Sequence, residues 1–429
     1  MRCFATLLLV VVLCGGQPSA SPQQQAAPAP TAAQPPAPFR SATALVEVDV
    51  IVKDKDGRFV SGLTADDFEV LEEGRPQHIQ HFYLVTEQAS ATGDPRSAVM
   101  TPRSPDKTER RVFVLFFDTD HLAAGSIARV KQAARTFVGA QFRPGDLGGV
   151  FANGTLWHGR LTTDSQELLD GIGNVMPAVE TSASRREQLI QYPRIGSELE
   201  AVRIEEGDQH TLDSLADQNC LQERANCDME GGREYVVVKL QQKAQIYVDL
   251  ARRAASSTLQ TLTYLSKNLS GLEGRKTVVM LSEGFFTPDV RSELPIIAGK
   301  ASRAGVTIYT VDARGTAGAG GRTVADASVP LGSLSMIGDT AEEGLNLLAT
   351  ETGGLPIRHT DDLASALNTV ASDTSTYYVL AYSSDNTTLD GRYRKIDLRT
   401  TWKGLSIRAR RGYVATPLPT PRQLRSGRP

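Results

Sequence analysis

The chain has 429 residues, 40% of them hydrophobic and 22% charged, and a net charge of −3. That length suits one large domain with one or two small ones, and the composition is that of a globular protein. A near-neutral balance with no basic block argues against nucleic acid or an anionic membrane surface as the main partner.

In chain order, Arg2 followed by the apolar run Phe4–Leu13 and small residues up to Ala20 reads as a signal peptide over 1–20, too short to span a bilayer. The expected location is secreted or periplasmic. A lipid anchor at Cys14 is the alternative, and bulky Leu13 before it matches a lipobox poorly. No later stretch is apolar enough for a membrane span. Removing the leader takes Cys3 and Cys14 with it, which leaves Cys220 and Cys227 as a candidate disulfide in an exported protein. Two turns of straight helix would separate their Cα atoms by about 10 Å, too far to bridge. If they pair, "NCLQERANCD" is a loop or a broken helix; two free thiols are the alternative.

Residues 21–40 are a Pro/Ala/Gln-rich tether. The period-two alternation of "ALVEVDVIVK" and two strands around "EEGR" predict a small β-rich domain over 43–87, with Thr64 and Asp67 capping a helical turn. A polar linker over 88–108 follows. From 109 to 374 buried strands ("VFVLFF", "DLGGVF", "TVVMLS", "VTIYTV") alternate with helices, so the fold class is α/β: a Rossmann-like, mostly parallel sheet with helices on both faces. Residues 185–235 break this rhythm and read as a polar insertion in a surface connection. Residues 375–414 return to β-strands, and 415–429 form a disordered tail.

Strand Val112–Phe117 stops at Asp118-Thr119-Asp120, and Glu283 directly follows the strand ending in Leu281. In an open parallel sheet, ligands sit beyond the carboxyl ends of the strands. Two acidic positions on one such rim suggest a cation site; capping of the next helix by Asp118 and Asp120 is the alternative. His121 reads as an exposed loop histidine, with a hydrogen bond to Asp118 or Asp120 as the alternative, and "RARRGY" places Arg408 and Arg410 on a solvated strand face, with an anion site as the alternative. There is no G-x-S-x-G elbow and no H-E-x-x-H, so no enzyme chemistry is expected.

The order strand–DxDxL–helix, "RPGDLGGVF", "GRLTTD", "TVVMLSEG", "VTIYTVDAR" and "LATETGGLPI" resembles a von Willebrand factor A (VWA) domain. With the leader and the flanking β segments, residues 43–414 resemble the secreted VWA-related proteins first described from acidobacteria. The resemblance implies a metal-ion-dependent adhesion site of the form Asp-x-Ser-x-Ser plus a Thr and an Asp from later loops. Carried over, Asp118 matches the first position, Asp120 and Leu122 stand in the serine places, Glu283 takes the later Asp, and Thr181 is the weak threonine candidate. A divalent cation (Mg²⁺, Mn²⁺ or Ca²⁺) held there by three carboxylates would carry surplus negative charge and would not attract an acidic ligand. The expected function is an exported, non-enzymatic protein-interaction module with an unknown protein partner in the envelope or outside the cell. A scaffold with a vestigial metal site and a metal-assisted hydrolase are the alternatives.

Overall fold

The computed structural model describes residues 45–86, 111–178, 181–272, 274–285, 293–316 and 331–417. The leader at 1–20, the tether at 21–40, the linker at 88–108 and most of the tail at 415–429 lie outside the described residues.

Alternating valines make Leu45–Lys53 strand β1, with Val46, Val48, Val50 and Val52 buried. Thr64 and Asp67 close the expected capping box over one short turn, where the Thr64 amide donates to Asp67 Oδ2 at 2.7 Å. Three strands follow: β2 (Phe68–Glu72), β3 (Arg75–Gln77) and β4 (Ile79–Thr86). The two expected strands become three because β3 pairs with β2, whereas β4 joins a different sheet.

The α/β part runs β5 (Val112–Phe117), α1 (Ala124–Gln141), β6 (Leu147–Ala152), β7 (Thr155–Leu156) and α2 (Ser165–Asn174). Then come α3 (Ser182–Ile190), α4 (Glu198–Glu205), α5 (Gln209–Gln222), α6 (Arg224–Cys227) and α7 (Gly232–Leu269). The alternation resumes with β8 (Lys276–Ser282), α8 (Leu294–Arg303), β9 (Val306–Asp312), α9 (Leu331–Thr352), β10 (Pro356–Ile357) and α10 (Leu363–Ser375). The last strands are β11 (Thr376–Ser383), β12 (Tyr393–Thr400), β13 (Ser406–Ala409) and β14 (Gly412–Val414).

The central sheet has the order β10-β9-β8-β5-β6-β7, parallel except for β7 at the edge. Renumbered from β5, this is the doubly wound order 3-2-1-4-5-6, which reverses between β5 and β8. Successive residues of β5 serve opposite layers. Phe113, Leu115 and Phe117 pack with residues of α1, α2 and α10, while Val112, Val114 and Phe116 pack with α7, α8 and α9. The α/β expectation, a mostly parallel sheet covered on both faces, describes this architecture.

The insertion is helical rather than an irregular polar loop. Leu189, Ile195, Val202, Leu212, Leu215 and Leu240 bury a core of their own against the first half of α7, whose second half covers the central sheet. One helix of 38 residues therefore serves two cores. Cys220 and Cys227 are bonded with Cα atoms 5.5 Å apart, and the helix does break between them, at Glu223 (φ −131°, ψ 69°).

The segments 43–87 and 375–414, read separately from the sequence, interleave in two four-stranded sheets, β13-β1-β11-β4 and β14-β12-β2-β3, that share one core. β1 lies between β11 and β13, and β2 pairs with β12. Arg408 and Arg410 correct the solvated-face expectation. Arg408 pairs with the buried Asp373 of α10, and Arg410 donates to the Ser302 carbonyl of α8. Beside them, buried Arg275 stacks 4.2 Å from the Tyr377 ring centroid and lies 3.5 Å from Asp49 Oδ2, and Lys53 reaches Asp373 at 3.0 Å. These cations fasten the β-sheets to the α/β part.

The disulfide closes a short loop, with a sequence separation of 7. The chain-entropy estimate for a loop of that size is about 2–3 kcal/mol. Replacing both Cys220 and Cys227 by Ala should lower unfolding free energy by that amount in urea titrations, with the loss concentrated in the helices of the insertion.

Candidate functional site

The rim where strand order reverses is built by two loops, 118–123 after β5 and 282–285 after β8, and backbone hydrogen bonds staple them together. The Asp118 amide donates to the Leu281 carbonyl (3.0 Å), and the Glu283 amide donates to the His121 carbonyl (3.3 Å). Leu122, fully buried, anchors the first loop in the core beneath. That explains its departure from the serine of the adhesion-site pattern: the position faces inward.

Asp118 is buried, and its carboxylate is fully engaged. Thr258 of α7 donates to Oδ1 (2.8 Å), Ser282 donates to Oδ2 (2.7 Å), and His121 Nδ1 lies 3.0 Å from both oxygens. A carboxylate has no proton to give, so Nδ1 carries it and donates. Burial pushes the Asp118 carboxyl up, but the His121 charge and the hydrogen bonds from His121, Ser282 and Thr258 outweigh it and hold the group below its ordinary 3.8. His121 itself is 2% exposed, its ring tilted against that of Phe285 with centroids 5.6 Å apart, and is not the exposed loop residue expected.

Glu283, also buried, takes a different role. Its Oε1 accepts from the Ala123 amide at the start of α1 (3.1 Å), a position the helix dipole favours for an anion. Its Oε2 lies 3.4 Å from Arg186 of α3, which also reaches Glu198 of α4 at 3.7 Å. The anion at this helix start comes from β8, in place of Asp118 and Asp120. Asp120 is half-buried on the lip, where its carbonyl accepts from Arg185 at 3.4 Å. Thr181 caps α3, its hydroxyl accepting from the Ser184 amide at 3.3 Å.

The structure thus gathers Asp118 and Glu283 on one rim but not around one point. A divalent cation wants about six oxygens at roughly 2.0–2.6 Å. Here His121 covers Asp118, an amide and Arg186 hold Glu283, a helix cap uses the Thr181 hydroxyl, and Leu122 offers no oxygen. The donor set as arranged does not fit the ion implied by the resemblance. Among the described residues no group of three or more His, Cys, Asp or Glu side chains is placed to hold a metal.

A polar cavity of about 350 Å³ opens beside the first of the two loops, beyond the ends of β5 and β6 and against α7, lined by Asp118, Asp120, Asn153, Ser257, Thr258 and Thr261 among others. A second hollow of about 420 Å³ shares Ser257 and Thr261 with it and extends along α7 to Arg252 and Arg253. Together they form a groove with carboxylates at one end and guanidinium groups at the other. Sequence reasoning missed Thr258 and Ser282. Thr258 was legible in principle, as a hydroxyl on the apolar stripe of Val248, Ala255, Leu262, Leu265 and Leu269.

No protein-family model matches the chain, and no curated protein matches it. Among solved structures it is similar to the crystal structure of an aerotolerance-related membrane protein from Bacteroides fragilis with multiple mutations to serines. That similarity has 11% identity, covers 62% of this chain and 98% of the other, and gives a TM-score of 0.28. At such a score it carries no argument; the fold rests on the strand order and the site on the distances above.

Asp118→Asn alters the acceptor shared by three buried donors and should cost about 1–3 kcal/mol of unfolding free energy. Because the folded carboxyl lies below its ordinary value, its stabilisation is present above about pH 4 and is lost as pH falls through the folded value. Urea titrations across pH should therefore show wild type and Asp118→Asn converging below about pH 4 and diverging above it.

Proposed function

We propose that this chain is an exported, non-enzymatic protein of VWA type that engages a protein partner through the groove beyond the carboxyl ends of β5 and β6. The observation that carries the reading is the groove itself: it opens beyond the carboxyl ends of β5 and β6, against α7, on the rim where open parallel sheets take their ligands. Its hydroxyl and amide lining, charged at both ends, suits hydrogen bonding to an extended polar segment rather than enclosure of an apolar molecule.

A binding role is favoured over chemistry by the state of Asp118. A general base works best with a pKa near the operating pH and a free lone pair. Asp118 is instead held low and is occupied by three donors. Export is supported by the apolar leader and by the Cys220–Cys227 disulfide, a bond that persists in oxidising compartments.

Ser257 lines both hollows and is exposed, so Ser257→Arg should fill the groove without touching the core. Affinity capture from an envelope extract of the source organism should recover a partner with wild type and about tenfold less with Ser257→Arg. Equal recovery by the two proteins, or none by wild type in repeated trials, would refute the reading.

A further inference from the structure

We propose that His121 stands in the place of the cation: its Nδ1–H is a built-in donor that fills the position beside Asp118 and makes the rim independent of divalent metal. The imidazole nitrogen lies 3.0 Å from each Asp118 oxygen and 3.4 Å from Thr258 Oγ1. The Thr258 and Ser282 hydroxyls each hold one oxygen of the same carboxylate. A carboxylate and two hydroxyls are hard oxygen donors of the kind a small divalent cation takes, yet a nitrogen-bound proton occupies the space beside them. The arrangement is fixed from several sides. The His121 amide donates to the Asp118 carbonyl (2.9 Å), its carbonyl accepts from Glu283, its ring packs on Phe285, and the adjoining Leu122 is buried.

Electrostatics sharpens the point. A buried carboxylate without donors aimed at it is costly, so a proton donor must sit against Asp118. A protein-borne imidazole is always present at that spot, whereas a diffusing ion depends on its concentration. Rim geometry is then set by folding alone. Removing the ring should leave an uncompensated carboxylate, two hydroxyls and a void, which is a site for a small cation.

Calorimetric titration of the full chain with MgCl₂, MnCl₂ and CaCl₂ tests this without any partner. Wild type should give no saturable heat, and its Tm should not move with either ion or chelator. His121→Ala should melt below wild type, bind one Mn²⁺ per chain, and regain Tm as Mn²⁺ rises. The gain should vanish in Asp118→Asn/His121→Ala. A wild-type heat removed by Asp118→Asn would overturn the proposal, as would a folded His121→Ala that ignores all three ions. If His121→Ala does not fold alone, its helical circular dichroism is followed while Mn²⁺ is added. Recovery supports the assignment and no recovery overturns it.

Discussion

A negative charge cannot be left at the end of a strand covered on both faces unless partners are brought to it. Asp118 is 3% exposed, and the partners arrive from three directions: His121 from its own loop, Ser282 from the neighbouring strand and Thr258 from a helix on one face of the sheet. Their combined effect exceeds the desolvation that opposes it, since the carboxyl ends up more acidic than usual. One side chain thereby fixes where β8 ends relative to β5, where α7 crosses the sheet, and how the loop into α1 turns. The groove beside it inherits its shape from these constraints.

A second set of buried charges plays the same part at the opposite side of the α/β unit. Arg275, Lys53 and Arg408 meet Asp49 and Asp373 between the sheet layers and the antiparallel strands, with Tyr377 giving its ring face to Arg275. In the antiparallel core Glu72 accepts from Tyr382 at 2.8 Å and Tyr413 at 3.1 Å, and Arg394 lies 3.6 Å away. Each of these acids has a cation or several hydroxyls aimed at it. Such networks specify one arrangement of layers, because a shifted register would strand a charge.

The α/β architecture was legible because it is written in local pattern: continuous apolar strands such as Val112–Phe117 separated by helical periodicity. The break between Cys220 and Cys227 was legible only as a condition: helix geometry demands it if the two cysteines pair, and the sequence left the pairing open. What escaped was non-local. The 185–235 segment looked polar because its apolar residues are spread over short helices that pack on a partner, α7, distant in register. Arg408, in β13, and Arg410, just past its end, lie in a stretch whose pattern suggests an outward face, and only the packing of α8 and α10 shows that the face is covered. His121 illustrates the limit most clearly. Nothing in "DTDHL" says whether the imidazole points to solvent or to Asp118; the turn that decides it is fixed by Glu283, far along the chain.

The pairing of the first and last strands has a consequence for how the molecule comes into being. Val48 lies opposite Leu380, and Val50 is flanked by Tyr378 and Ala409. A chain emerging from its N-terminus must therefore carry β1 and β2 as bare edges until almost everything else has been synthesised, and exposed strand edges invite wrong partners. Assembly is governed by contacts of high sequence separation, which are slow to form. Shortening the chain before residue 414 would remove neighbours from its opening strands.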